Sequence, residues 1–210
     1  MRNIIVIGGG GHAKVVVSLL KKTKRFRILG YTDLHDCGPL LGIPYLGNDD
    51  AVSGLLRKNP RPAAALGIGS VLATKVRKQL FEKYEAFGLT FPAIVSPDAV
   101  VNESVDIGAG TVVADGVIVN SGTRIGRGVI LNTHCSVDHD CDIRDFAHLA
   151  PGVTVSGGVR VGAYCLVGTG VNIIHGISIA DRTTIGAGAT VIRNILKAGT
   201  YVGLPARRKP

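Results

Sequence analysis

IGAGTVVADGVIVNSGTRIGRGVI, Ile107 to Ile130, decides the fold. Cut in sixes it reads IGAGTV, VADGVI, VNSGTR, IGRGVI, and each piece opens on a branched aliphatic. The frame extends both ways: Val, Ile or Leu stands at every sixth position from Val95 to Val191, seventeen openings over 96 residues without a skip. A helix repeats every 3.6 residues and a strand every two, so neither predicts a strict six. The fifth residue of each hexad is small, β-branched or a cysteine. Hexapeptide periodicity predicts a parallel β-helix solenoid, with one aliphatic per short strand pointing inward.

Upstream the period changes. "NIIVIG" (3–8), "FRILGYTD" (26–33) and "AAALGIG" (63–69) read as strands. "HAKVVVSLLKK" (12–22) reads as a helix opened by glycines, "NDDAVSGLLRK" (48–58) as a helix capped by Asn48, and "VLATKVRKQLFEKYEAFG" (71–88) as a long amphipathic helix closed by Gly88. "LTFPAIV" (89–95) reads as a last strand. This alternation predicts a small parallel sheet with helices on its faces. The expected organisation is a Rossmann-like α/β domain over 1–92 and a solenoid domain over 93–210.

Hydrophobic residues make up 46% of the 210-residue chain and charged residues 19%, which predicts packed cores. Aromatics are only 5%, with no Trp, which argues against a stacking platform for single-stranded nucleic acid. The net charge of +9 suits an anionic small molecule such as a nucleotide or coenzyme A, and equally a solvated basic surface. Nucleic acid is not expected, for lack of a basic run with a reading motif. No stretch reaches the length of a membrane span, and the first apolar run is short and leads into "GGGG" without a cleavage site, so a cytoplasmic protein is expected. The four cysteines show no CxxC pairing and are read as reduced.

"GGGGHA", Gly8 to Ala13, together with "NTHCSVDHDC…AHLAPG" in the solenoid, resembles the sialic acid O-acetyltransferase-like family of hexapeptide-repeat acyltransferases. That group includes nucleotide-sugar N-acetyltransferases of the bacillosamine and perosamine pathways, and the resemblance spans essentially the whole chain. It implies a left-handed β-helix with three hexads per triangular coil, a homotrimer, and active sites between subunits. It implies acetyl-CoA as co-substrate, a nucleotide sugar bound by the amino-terminal domain, and a His–acid pair at His139 and Asp140, with His139 the general base. Gly10, Gly11, His12, Asp33 and Gly69 would line the nucleotide-sugar pocket. Gly157, Thr169 and Ala187 would contact acetyl-CoA, with His148 near the acetyl carbonyl.

The residues themselves leave rival readings. Gly8, Gly10 and Ala13 fit the G-x-G-x-x-A spacing of a dinucleotide fingerprint, with Asp33 where a ribose-binding acid belongs. Amides at a helix N-terminus bind any phosphate, so NAD is one reading and a tight turn without ligand another. His12 is equally a solvated helix-start residue. Cys135, Cys141 and Cys165 fall on inward fifth positions and are read as core filler, which weakens a zinc site; no metal is expected. His35 is read as a solvated loop residue, and His134, His139, His148 and His175 as pointing away from the solenoid core. His139, Gly157 and His175 are spaced by eighteen and should share a column, with Gly157 leaving a track for a pantetheine arm; His175 is equally a solvated side chain. Arg193, Lys197, Arg207 and Arg208 are candidate partners for coenzyme A phosphates. Asp138 rivals Asp140 for orienting the imidazole, because neighbours on an extended strand face opposite ways unless the chain bends.

The function expected is acetyl transfer to the 4-amino group of a nucleotide-linked 4-amino-4,6-dideoxy sugar. Alternatives are O-acetylation of a sialic-acid-type sugar, a non-catalytic nucleotide-binding trimer, and an NAD enzyme.

Overall fold

The structure is a computed structural model that describes residues 1–48, 52, 54, 61–69 and 74–209. The chain divides into two compact units, Met1–Pro97 and Asp98–Pro210. The helix expected over 48–58 falls largely outside the described residues.

In the first unit β1 (Arg2–Ile7), α1 (Gly11–Thr23), β2 (Phe26–Thr32), β3 (Ala63–Leu66) and α2 (Thr74–Ala86) follow in chain order. The strands form a parallel sheet in the order β2-β1-β3. Ile4, Ile5 and Val6 of β1 and all four residues of β3 are buried, as a parallel sheet covered on both faces requires. α1 buries Ala13, Val16, Val17, Leu19 and Leu20 at helical spacing, and Lys21 and Lys22 occupy its last turn, where the helix dipole favours cations.

The strand expected over 89–95 does not join this sheet. Thr90 accepts one backbone hydrogen bond, from Ala64 N at 2.9 Å, and only Ile94–Val95 is extended as a strand. Pro92 has no N–H to give to a ladder, which ends the pairing.

From Val100 to Val191 each strand is two residues long, the sixth residue of one hexad and the first of the next. Ser136 pairs in parallel with Ile118 and Thr154, Ile130 with Val112 and His148, and Asp142 with Arg124 and Arg160. Every partner is eighteen residues away, so three hexads close one coil and three sheets form a triangular left-handed β-helix. All fourteen openings from Val113 to Val191 are at most 3% exposed, which builds one continuous aliphatic core. Val101 and Ile107 are not buried, because the first coil has a solenoid neighbour on one side only.

The turns are equally regular. The fourth residue of every hexad from Ser104 to Gly188 has φ between +55° and +74°. Nine of these fifteen positions are glycine, and the others are Ser104, His134, Asp140, Phe146, Tyr164 and Arg182. A left-handed residue at each corner redirects the chain onto the next face. At the carboxyl end the register shortens: Ile179 pairs with Ile195 and Thr184 with Thr200. Tyr201 and Val202 then pair antiparallel with Arg208 and Arg207. That hairpin covers a final edge that would otherwise present unpaired backbone groups.

Candidate active site

Within VDHDC, Val137 and Cys141 are both buried, as the first and fifth positions of their hexad. Asp138, His139 and Asp140 lie between them on a corner. Thr123, one coil earlier and itself inward, fixes that corner from beneath: its hydroxyl donates to Asp138 O at 2.7 Å and accepts Cys141 N–H at 3.1 Å. Asp140 has φ 55°, the left-handed bend that lets two successive side chains meet. Its carboxylate Oδ2 lies 2.8 Å from His139 Nδ1.

The rivalry between the two aspartates is thereby resolved. Asp138 Oδ1 accepts the His139 backbone N–H at 2.9 Å and the Asn120 side-chain amide at 2.8 Å, so it holds the backbone while Asp140 holds the ring. A carboxylate on Nδ1 requires an N–H there, which leaves the lone pair of neutral imidazole on Nε2. The Asp140 hydrogen bond, and then the charge of Asp138, raise the His139 pKa above its ordinary 6.5. The Asn120 amide, and then the His139 N–H, hold the Asp138 carboxyl below its usual range. The His139 side chain is 63% exposed, open to a reactant.

Gly157 lies directly against the His139 ring. A Cβ there would stand 2.6 Å from His139 Nε2 and 2.7 Å from Cε1, so the imidazole itself lies across the glycine α-carbon. The ring occupies the space that a side chain at 157 would fill. His175, one coil further on, is exposed. Thr169 and Ala187 are also exposed, but each stands twelve residues beyond the His139–Gly157–His175 column. With an eighteen-residue coil they belong to another corner, so one solenoid does not bring the two sets together.

His148 points away from the solenoid interior, as expected, but is not exposed. Leu149 fills the interior and His148 points to the opposite side, yet it is only 5% exposed, on a face where Val112 and Ile130 are buried too. Its Nε2 lies 3.2 Å from Asn132 Nδ2. Cys135, Cys141 and Cys165 are buried and inward as expected. Burial pushes the Cys135 thiol up to about 12 and Cys165 to about 11, which removes both as nucleophiles near neutral pH. His35 and His134 are exposed. Among the described residues no three His, Cys, Asp or Glu side chains gather as a metal site.

In the first unit the glycine turn is held by Asp33, whose Oδ2 accepts Gly9 N–H at 2.6 Å and whose Oδ1 accepts Leu34 N–H at 2.7 Å. Gly9 must be glycine, because a Cβ there would stand 2.6 Å from the Tyr31 ring. Gly10 is the N-cap of α1 without a side-chain cap, and a Cβ at Gly10 or Gly11 would meet nothing within 4 Å, so the helix N-terminus faces open space. Gly69 lies against His12, with its Cβ position 3.7 Å from that of the histidine. A pocket of about 200 Å³ is lined by Gly8, Asp33, Leu34, Ile68, Val76 and Leu80, with Ile7 and Thr32. Among the five residues expected to line a nucleotide-sugar pocket, Asp33 borders this cavity. Ile68, Val76 and Leu80 went unread because apolar lining carries no motif; their spacing on α2 looks like any packing face.

The left-handed solenoid is the fold of hexapeptide-repeat acyltransferases, and chains similar to this one are acetyltransferases. Residues 3–84 match the family model described as PglD N-terminal domain. UDP-N-acetylbacillosamine N-acetyltransferase from Bacillus subtilis (strain 168) is 36% identical over 117 residues, 54% of this chain; the match spans about half (51%) of that relative's length. The acetyltransferase domain of PglB from Neisseria gonorrhoeae FA1090 is 32% identical, with each chain covered completely and a TM-score of 0.91. A histidine-to-asparagine variant of perosamine N-acetyltransferase from Caulobacter crescentus, in complex with CoA and GDP-perosamine, is 33% identical over 100% of this chain and 98% of that one, at TM-score 0.94. The chain belongs to this family of nucleotide-sugar N-acetyltransferases.

Proposed function

We propose that the protein transfers the acetyl group of acetyl-CoA to the 4-amino group of a nucleotide-linked 4-amino-4,6-dideoxy sugar, with His139 as general base. The observation that carries this reading is the 2.8 Å His139–Asp140 contact, which keeps the proton of neutral imidazole on Nδ1 and leaves Nε2 free to accept one. The amine nitrogen attacks the thioester carbonyl while Nε2 takes its proton. The tetrahedral adduct then expels the CoA thiolate, which recovers the proton from the imidazolium. Asp140 keeps the ring in the productive tautomer and stabilises its charged form. Transfer is direct, consistent with the buried, weakly acidic thiols of the solenoid. The open N-terminus of α1 supplies amides for the nucleotide phosphates.

The co-substrate groove is assigned to two copies of the chain. Gly157 and His175 on one corner and Thr169 and Ala187 on another complete one site only when neighbouring solenoids pack side by side, as in a homotrimer. The basic residues Arg193, Lys197, Arg207 and Arg208, all exposed near the carboxyl end, are suited to the coenzyme A phosphates. The reaction is placed in the cytoplasm, where acetyl-CoA and nucleotide sugars are available.

The test offers UDP-, GDP- and dTDP-linked 4-amino sugars with acetyl-CoA and follows CoA release with a thiol reagent. One amino sugar should give turnover that its 4-hydroxy counterpart does not. Equal turnover of amine and alcohol, or none with any amino sugar, would overturn the assignment.

A further inference from the structure

Three residues at second positions of their hexads, Asn102, Asn120 and Asp138, stand one above another at eighteen-residue spacing. Asn102 Nδ2 donates to Asn120 Oδ1 at 2.7 Å, and Asn120 Nδ2 donates to Asp138 Oδ1 at 2.8 Å. Asp138 Oδ1 also receives the His139 backbone N–H. We propose that Asn120 is a positioning residue for the general base, holding Asp138 against the His139 corner through the Asn102–Asn120–Asp138 ladder.

The chemistry of the ladder sets its direction. An ionised carboxylate only accepts, so Asn120 must turn its NH₂ toward Asp138, and its oxygen then faces the NH₂ of Asn102. The dipoles point one way, and each bond polarises the next. Asn suits the middle rung because one side chain must donate upward and accept from below. The consequence at the top is a negative charge with a fixed place. Asp138 is tied from one side by the ladder and from the other by the backbone N–H of the base itself. It therefore contributes its field to the imidazole without competing for Nδ1, which Asp140 occupies. The two carboxylates divide the work: Asp140 orients the ring, and Asp138 favours its protonation as the proton leaves the amine.

Other titratable groups on this corner are Glu103 two coils earlier, His175 two coils later and the inward Cys141, whose thiol donates to His139 O at 3.6 Å. Gly122 and Gly157, on the coils directly before and after, carry no charge, so Asp138 and Asp140 dominate the field at the ring.

The proposal rests on His139 being the base, and its test separates the two. Full-length Asn120→Ala is made alone and in a His139→Ala background. Alone, it should lower kcat roughly tenfold, short of the roughly 10²–10⁴ that loss of a base costs. The acid limb of kcat/KM should move to lower pH, because an unheld Asp138 no longer raises the imidazole pKa as far. KM for acetyl-CoA should not change. In the His139→Ala background the second substitution should cost nothing further, since residues acting through one group are not additive. Asp138→Asn, which preserves shape, should shift the acid limb in the same direction and make Asn120→Ala silent. An unmoved acid limb, or the same loss of kcat in both backgrounds, would overturn the positioning role and leave the base intact. A near-normal His139→Ala enzyme would remove the base assignment and this proposal with it.

Discussion

At the residue scale His139 is defined by what touches its two nitrogens. Nδ1 is committed to Asp140, and Nε2 lies over the α-carbon of Gly157. As the proposed base, His139 works unprotonated, and its pKa is raised, so kcat/KM should fall as pH drops through a value above 6.5. In Asp140→Asn the largest raising cause is lost, so the acid limb should move to lower pH; kcat should fall too, because an amide also accepts the wrong tautomer. A pH profile of both enzymes checks this, and an unmoved limb would count against the assignment. His139→Ala should lower kcat by about 10²–10⁴ while acetyl-CoA binding persists. Gly157→Ala tests the ring's seat. The new methyl would stand 2.6 Å from Nε2, so the exposed ring must swing aside. A displacement of that size costs about 10²-fold in rate, whereas thermal unfolding should be unchanged.

The hexad is the unit at the element scale, and the site is one ordinary hexad with three exceptional residues at its turn. Asp140 takes a left-handed conformation that nine of the fifteen equivalent corners give to glycine. A non-glycine residue there costs on the order of 1–2 kcal/mol, less for Asp than for most. Asp140→Gly should therefore leave urea denaturation unchanged or slightly more stable while kcat falls; a large loss of stability would show that the carboxylate is structural. Thr123 is the complementary case. Its hydroxyl satisfies Asp138 O and Cys141 N–H inside the coil. Thr123→Val keeps the shape but leaves both groups unpaired, which should cost about 1–3 kcal/mol in denaturation and also lower kcat.

At the scale of the whole molecule the proposed co-substrate groove needs a partner subunit. Light scattering at micromolar concentration should give three times the 21.9 kDa chain mass, and a monomer would remove the composite groove. Calorimetry with UDP, GDP, NAD and NADP addresses the amino-terminal unit. Heat from a nucleoside diphosphate and none from NAD is expected. The 200 Å³ pocket is small, and Asp33 already holds two backbone N–H groups of its own turn. Tight NAD binding without a response to any nucleotide sugar would overturn the substrate assignment.

Sequence by itself determined the coil. A branched aliphatic at every sixth position leaves one inward side chain per strand, and that requirement set the inward cysteines and the exposed His139. Three hexads to a coil, and with them the eighteen-residue column of His139, Gly157 and His175, were what the family resemblance implied. What the sequence could not determine was anything set by a dihedral angle or by a side chain one coil away. Only the left-handed φ of Asp140 decided that it, and not Asp138, meets the ring. Only the stacking of coils showed that Gly157 is the seat of the imidazole, that Asn120 ties Asp138, and that His148 is buried. The strand misread over 89–93 has the same origin. Its apolar residues promise pairing, but a missing N–H at Pro92 and the geometry of the sheet decide where pairing stops. Periodic burial is written residue by residue along the chain, whereas contacts between residues eighteen apart exist only once the coil has closed.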